Sequence, residues 1–180
     1  DYTIESARIA LEHMTPVVLL TDGYIANGSE PWIIPDVKKM KKIKVRDAAL
    51  PQEGQVAYLP YLRDDKTLAR TWAIPGMPGL EHRIGGLEKQ DKTGHVSYDP
   101  QNHEFMTKLR AEKVNRIADE IPLQTVLGDK TGELLVVGWG GTYGALLTAV
   151  KELQAEGKKI SLAHFNYIRP LPKNTGDILK

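Results

Sequence analysis

The clearest hydrophobic pattern along the chain lies between residues 134 and 166. An apolar run at 134–139 leads through a cluster of glycines into 143–156, where apolar residues recur at helical spacing, and a second apolar run follows at 159–166. This order predicts a strand, a helix and a second strand, parallel to the first through a right-handed crossover. Gly157 is typical of a helix C-terminus. The helix positions expected to face the core are Leu146, Ala149, Val150 and Leu153.

The start of the chain predicts a helix followed by a buried strand. Residues 1–14 have candidate N-caps at Asp1 and Thr3. Apolar side chains recur there at helical spacing, at Ile4, Ala7, Leu11 and Met14. Residues 16–23, PVVLLTDG, are apolar without alternation and end at Asp-Gly, as central parallel strands do.

A third element is predicted over 100–121. Asp99 is a suitable N-cap, Pro100 suits the first helical position, and Pro122 ends the helix. The apolar positions expected on one face are Met106, Leu109, Val114, Ile117 and Ile121. The basic residues expected largely off that face are Lys108, Arg110, Lys113 and Arg116.

The segment 24–100 is rich in proline and glycine and predicts a long loop that packs on a surface. Its large aromatic residues favour docking over disorder, and they are Trp32, Tyr58, Tyr61 and Trp72. The basic stretch 38–46 is interpreted as a solvated linker, or as a hairpin strand with Ile43 and Val45 facing inward, in preference to a nucleic-acid patch.

These elements indicate an α/β chain that does not contain enough strands to complete a parallel sheet at either end. The N-terminal part predicts one helix and one strand, and the C-terminal part predicts one strand–helix–strand unit. The remaining strands would have to come from polypeptide outside this sequence. We therefore expect the chain to be a fragment, or one piece of a larger assembly.

Composition narrows the function classes. The 24 Lys plus Arg nearly balance the 23 Asp plus Glu, which disfavours nucleic-acid binding. No apolar run approaches 18 residues and no signal peptide is recognisable, so a soluble, cytoplasmic protein without membrane attachment is expected. The absence of Cys excludes disulfides, a thiolate nucleophile and Cys-ligated clusters within this chain. Any redox metal must be held elsewhere.

The glycine turn at 138–144 suggests a phosphate cradle, but it fits no established motif. Gly138 and Gly140 match the opening of a dinucleotide fingerprint, whereas Tyr143 occupies the third glycine position and no Asp or Glu lies at the tip of the second strand. We favour a role in close strand–helix packing. The alternative is a non-catalytic α/β module that binds a small anion at the turn, through Gly138, Gly140, Gly141 and Thr142.

A second glycine-containing loop, 21–32, leaves the tip of the predicted N-terminal strand. Active sites gather at such tips, and a turn that merely exploits Gly and Asn flexibility is an equally good interpretation. Its candidate residues are Asp22, Gly23, Asn27, Gly28 and Glu30. None of the five histidines forms a spacing typical of zinc sites, so no metal site is predicted. His164, near the C-terminal end of a strand, where ligands often bind, keeps a candidate functional role.

Three stretches of the chain are distinctive, and they are ALEHMTPVVLLTDGYIANGSEPW, PGLEHRIGGLEKQDKTGHVSYDPQNHEFMTKLRAEKV and LLVVGWGGTYGALLTAVKELQAEGKKISLAHFNYIRPLPKN. Together they resemble the alpha subunit of 2-oxoacid:ferredoxin oxidoreductases, most closely the 2-oxoglutarate type. One departure is EKQD at 88–91, where family members often carry Glu-His-Asp-Glu. The resemblance covers almost the whole chain.

The resemblance implies an enzyme that uses thiamine diphosphate with magnesium, and iron–sulfur clusters, to convert a 2-oxoacid to an acyl-CoA while reducing ferredoxin. It implies that 1–35 end a pyrimidine-binding domain, 36–125 connect, and 126–180 begin a domain similar to the C-terminal domain of transketolase. A beta subunit would supply the magnesium- and diphosphate-binding half. The family's catalytic residues lie upstream of Asp1, so no catalytic residue and no bound cofactor are expected in this chain, which should be inactive alone.

Overall fold

The computed structural model describes residues 2–40, 42–50 and 57–180. Its helices and strands follow in the order α1 (Tyr2–His13), α2 (Gly23–Ala26), α3 (Pro100–Arg116), β1 (Leu134–Trp139), α4 (Tyr143–Ala155), β2 (Ile160–Phe165) and α5 (Thr175–Ile178). Short 3₁₀ helices occupy Val37–Lys39, Ile117–Asp119 and Gly140–Thr142. None of the described helices is long and apolar enough to cross a membrane.

The chain divides into two compact units. The first comprises Asp1–Leu19 with Lys38–Ile117, and the second comprises Leu20–Val37 with Ala118–Lys180. The architecture is mixed, with helices, a long irregular segment and a small parallel sheet. The three-part division at residues 35 and 125 expected from the resemblance is not tested by these units and stays a prediction.

The predicted strand–helix–strand unit forms the centre of the second unit. β1 and β2 pair in parallel, with Leu134 opposite Ile160 at one end and Trp139 opposite Phe165 at the other. On its other edge β2 meets Leu127, which exchanges two backbone hydrogen bonds of 2.9 Å with Leu162. Because β2 has neighbours on both edges, it carries more of the core than β1.

The buried face of α4 is narrower than expected. Val150 is buried, but Ala149 is exposed and Leu153 lies at the surface. Gln154 takes part instead, donating from Nε2 to the Ile160 carbonyl at 2.6 Å. The helix covers a sheet that has only two described strands, so fewer of its positions find apolar partners. Gly157 ends the helix at φ +84°, as its residue type predicts.

In the first unit, both predicted helices form, α3 ending five residues before the predicted end and α1 burying a different face from the one expected. Asp99 caps α3 by accepting from the Gln101 amide at 3.0 Å, and Met106 is buried. The helix ends at Arg116, and the chain continues through a 3₁₀ turn before Pro122. α1 buries Ile9 and His13 and leaves exposed much of the apolar face expected to be covered, namely Ile4, Ala7 and Leu11. Asp1, one predicted cap, lies outside the described residues.

The strand predicted over 16–23 is not formed. Residues 15–22 have no regular structure, and the side chains of Val18 and Leu20 are 78% and 74% exposed. A strand is stable only when a neighbour pairs with it, and no described residue pairs with this run. Asp22 and Gly23, assigned to its end, instead begin α2.

The long segment is irregular, as expected, and is joined by isolated bridges such as Arg63 with Arg70 and Lys89 with Val96. Tyr58, Tyr61 and Trp72 are half-buried within the first unit, whereas Trp32 is 76% exposed. The alternative of a hairpin strand at 38–46 is wrong for the described residues, because Val37–Lys39 is a 3₁₀ turn and Val45 is exposed. Lys41 lies outside the described part.

Candidate functional site

The 21–32 loop is shaped by its polar residues. Asp22 caps α2 by accepting from the Ile25 amide with Oδ1 at 2.9 Å. Asn27 donates from Nδ2 to the Gly23 carbonyl at 2.6 Å, and the Gly28 amide donates to Ile25 O at 3.1 Å. These hydrogen bonds cap both ends of the single helical turn of α2. The loop is therefore a compact, hydrogen-bonded turn, although its side chains are exposed.

The glycine turn is a tight corner between β1 and α4. A Cβ atom at Gly138 would overlap Cδ1 of Leu146 and approach Thr142 Oγ1 to 3.2 Å. Gly140 has φ +65°, a conformation that favours glycine. Thr142 donates from Oγ1 to Trp139 O at 2.8 Å. The close strand–helix packing expected here is present.

The structure brings these two predicted features together within the second unit. A Cβ atom built at Gly141 would overlap the Oδ2 atom of Asp22, and would lie 2.9 Å from Asp22 Cγ and 3.2 Å from Cδ1 of Ile25. The absence of a side chain at Gly141 is what lets the loop approach. Asp22 thus makes two contacts. Its Oδ1 atom caps α2, and its Oδ2 atom lies against the glycine turn.

The contact between Asp22 and Gly141 affects whether the glycine turn could bind a phosphate group. A helix start attracts anions, and here the carboxylate of Asp22 already lies against the turn that precedes α4. A diphosphate placed there would meet a negative charge, so these residues do not fit that part of thiamine diphosphate. We assign no chemical step to the turn. Anion binding by Gly138, Gly140, Gly141 and Thr142 stays a prediction.

Two other candidates lie apart from this contact. Glu30 is exposed and makes no hydrogen bond or ion pair with any residue that the structure describes. His164 is half-buried at the end of β2, with its ring edge-on to Tyr143 at 5.1 Å. Its buried Nε2 atom has no hydrogen-bond partner among the described residues. In residues 2–40, 42–50 and 57–180, no three His, Asp or Glu side chains converge as a metal site would require.

The first unit contains a charged cluster that the sequence pattern did not reveal. Glu88, in the EKQD stretch, accepts from Arg110 Nη1 at 3.1 Å and contacts His103 Nδ1 at 2.6 Å. Burial opposes ionisation of Glu88, but hydrogen bonds from Arg110 and His103 outweigh it and hold its pKa below the ordinary value. His103 and Arg110 are seven residues apart on α3, which places them on one helix face. This seven-residue spacing is the sequence feature that could have indicated that His103 and Arg110 lie side by side.

Comparison with known proteins identifies relatives along the whole chain. Residues 1–99 match the family model described as "Pyruvate flavodoxin/ferredoxin oxidoreductase, thiamine diP-bdg". The 2-oxoglutarate oxidoreductase subunit KorA of Mycobacterium tuberculosis is 47% identical over 100% of this chain and 27% of its own length. The alpha subunit of 2-oxoacid:ferredoxin oxidoreductase 1 of Aeropyrum pernix is 28% identical over 94% of this chain and 26% of its own.

A solved structure is similar as well. It is the 2-oxoglutarate:ferredoxin oxidoreductase of Magnetococcus marinus with 2-oxoglutarate, coenzyme A and succinyl-CoA bound, with a TM-score of 0.84 and 27% identity. The match covers 98% of this chain and 30% of that one. This chain therefore spans between a quarter and a third of the length of these relatives. The family resemblance drawn from the sequence is confirmed.

Proposed function

This chain belongs to the thiamine-diphosphate-binding family of pyruvate flavodoxin/ferredoxin oxidoreductases, and from that premise we propose that it forms part of the alpha subunit of a 2-oxoacid:ferredoxin oxidoreductase. The substrate is 2-oxoglutarate. The complete enzyme decarboxylates it oxidatively, transfers the acyl group to CoA and passes the electrons to ferredoxin. One observation carries the proposal, namely that similarity to a 2-oxoglutarate oxidoreductase subunit extends over every part of this chain.

The same proposal assigns cofactors and partners to the complete enzyme. Thiamine diphosphate, magnesium and iron–sulfur clusters belong to the assembled oxidoreductase, with a beta subunit as the partner that completes the site. Residues 1–35 and 126–180 correspond to the end of a pyrimidine-binding domain and the start of a transketolase-C-terminal-like domain. The cytoplasmic location expected from composition stays a prediction.

The contribution of this chain is scaffold and interface. Its 21–32 loop and the residues after it carry large apolar side chains in water, among them Tyr24 at 90%, Trp32 at 76% and Ile33 at 90% exposure. Contiguous exposed apolar residues are typical of a protein interface. We assign this segment to the contact with the beta subunit or to the wall of the substrate channel, with Asp22 fixing its start.

The test is the activity of the complete complex. The full alpha subunit carrying this segment is purified with its partner, and reduction of a viologen dye is followed with 2-oxoglutarate, pyruvate or a branched-chain 2-oxoacid. We expect 2-oxoglutarate to be the best substrate and omission of CoA to abolish turnover. A preference for pyruvate would overturn the substrate assignment alone. No turnover with any 2-oxoacid would overturn the proposal.

A further inference from the structure

A cavity of about 340 Å³ lies within the first unit, between the segment that follows α1, one face of α3 and the irregular chain. Apolar side chains form part of its wall, including Leu87, Met106 and Leu109. The volume falls within the range of about 300–1,000 Å³ that is typical of small-molecule sites. Arg63, Arg70 and Lys113 also line it.

Lys113 and Arg70 have hydrogen-bond donors without an acceptor among the described residues, whereas Arg63 already donates to Tyr61 O and Asp91 Oδ1. Lys113 donates one hydrogen bond from Nζ to Met14 O at 2.6 Å, and an ammonium group has three donors. Arg70 donates from Nη1 to Pro60 O at 3.2 Å, and its guanidinium carbon lies 4.2 Å from the centre of the Tyr61 ring. The Arg63 guanidinium lies 5.7 Å from the same ring. Both guanidinium groups therefore lie within cation–π distance of the Tyr61 ring.

Glu88 also lines the cavity, and its carboxylate and that of nearby Asp91 are already paired with cations. Asp91 accepts from Arg63 Nη1 at 2.6 Å, and Glu88 is engaged by Arg110 and His103. In the described parts of the chain, no carboxylate lies within ion-pair distance of Arg70 or Lys113. A buried charge without a counter-charge is costly. Of the three cations, Arg70 and Lys113 are thus left without a counter-charge by the described residues, whereas Arg63 is paired with Asp91.

The titration of Lys113 agrees with this charge excess. Burial, together with the neighbouring charges of Arg70 and Arg63, lowers its pKa to about 8. The ammonium form still predominates at neutral pH, so the positive charge persists there. An anion beside the three side chains would offset the energetic cost of burying their charges and the repulsion among them.

We propose that this cavity binds the anionic end of a small molecule, a carboxylate or a phosphate, through Arg63, Arg70 and Lys113. Guanidinium groups match the two oxygens of such an anion, and the lysine adds a point charge. The apolar wall accommodates the rest of the ligand. This inference does not depend on the proposed function, because it concerns charge and space within one unit.

The experiment measures protection of Lys113 from an amine-modifying reagent in the complete complex, resolved by mass spectrometry of the peptide. Inorganic phosphate and succinate are the two probes, and sodium chloride at equal ionic strength is the reference. Lys113 modification should slow by about tenfold when the probe is at ten times its dissociation constant. Lys108, which is on the same helix and largely exposed, is the internal control and should react at an unchanged rate.

Two variants sharpen the result. Arg70→Gln should raise the probe concentration needed for half-protection by about tenfold, and Arg70→Lys, which keeps the charge but loses the fork, should give an intermediate value. Protection by phosphate alone or by succinate alone supports the proposal and identifies the anion class. An equal rate of Lys113 modification in phosphate, in succinate and in chloride would overturn the proposal. Protection that Arg70→Gln leaves unchanged would also overturn it.

Discussion

At the scale of single residues, the contact between Gly141 and Asp22 fixes the loop against the turn. Gly141→Ala adds a methyl group where the Asp22 carboxylate lies. We expect a loss of about 1–3 kcal/mol in the free energy of unfolding, measured by urea titration, because the loop must move or strain. Gly144→Ala is the matched control, since nothing lies within 4 Å of its added Cβ.

The control should behave in the opposite sense. Alanine at a helix position stabilises relative to glycine by up to about 1 kcal/mol, so Gly144→Ala should raise stability while Gly141→Ala lowers it. Asp22→Ala removes the overlapping carboxylate, and the double variant should recover part of the Gly141→Ala loss. Additive effects of the two substitutions would contradict the contact.

The lowered pKa of Lys113 predicts that the free energy of unfolding depends on pH. Its pKa is about 8 in the folded chain and ordinarily 10.5, so between these values the unfolded chain binds more protons. Stability must then rise with pH across this interval. Relative to Lys113→Met, the wild type should gain roughly 1–3 kcal/mol between pH 7.5 and 10 in a chloride buffer. A difference that stays constant with pH would show that Lys113 titrates normally.

At the scale of elements, α3 offers the cleanest test of local sequence signals. Asp99→Ala removes the acceptor of the Gln101 amide, and we expect a loss of about 1 kcal/mol in unfolding free energy. Asp99→Ser retains a capping oxygen and should stay close to the wild type. No loss of unfolding free energy in Asp99→Ala would mean that the cap contributes nothing to stability.

The elements that sequence pattern predicts well are those stabilised by local contacts. Periodicity and caps located α3, and the strand–helix–strand order located β1, α4 and β2. The strand at 16–23 failed because pairing depends on neighbours that no local pattern reveals. Tertiary packing also chose which face of α1 is buried.

The candidate site was only partly predictable for the same reason. Spacing identified the 21–32 loop and the glycine turn separately, but nothing in the sequence indicated that Asp22 meets Gly141. Lys113 was assigned off the apolar face of α3, although it lies seven residues after Met106 and so on the same helical stripe. From its charge alone Lys113 was expected to lie off the apolar face, whereas in the fold it lines a cavity.

At the scale of the whole molecule, the exposed apolar residues near the 21–32 loop predict a partner. Ile33→Glu places a charge in the proposed interface and should reduce recovery of the beta subunit with the purified alpha subunit by at least about tenfold. Ile84→Glu, the same change at an apolar side chain that is 84% exposed outside this segment, is the control and should leave recovery unchanged. Unaltered recovery with Ile33→Glu would exclude this segment from the interface.

The proposed function implies that this chain acts only as part of a larger 2-oxoacid oxidoreductase. The most direct measurement compares viologen reduction with 2-oxoglutarate and CoA by the isolated chain and by the complete complex, at equal molar concentration and with thiamine diphosphate and magnesium added. We expect turnover by the complex and none by the isolated chain. Turnover by the isolated chain would contradict this expectation.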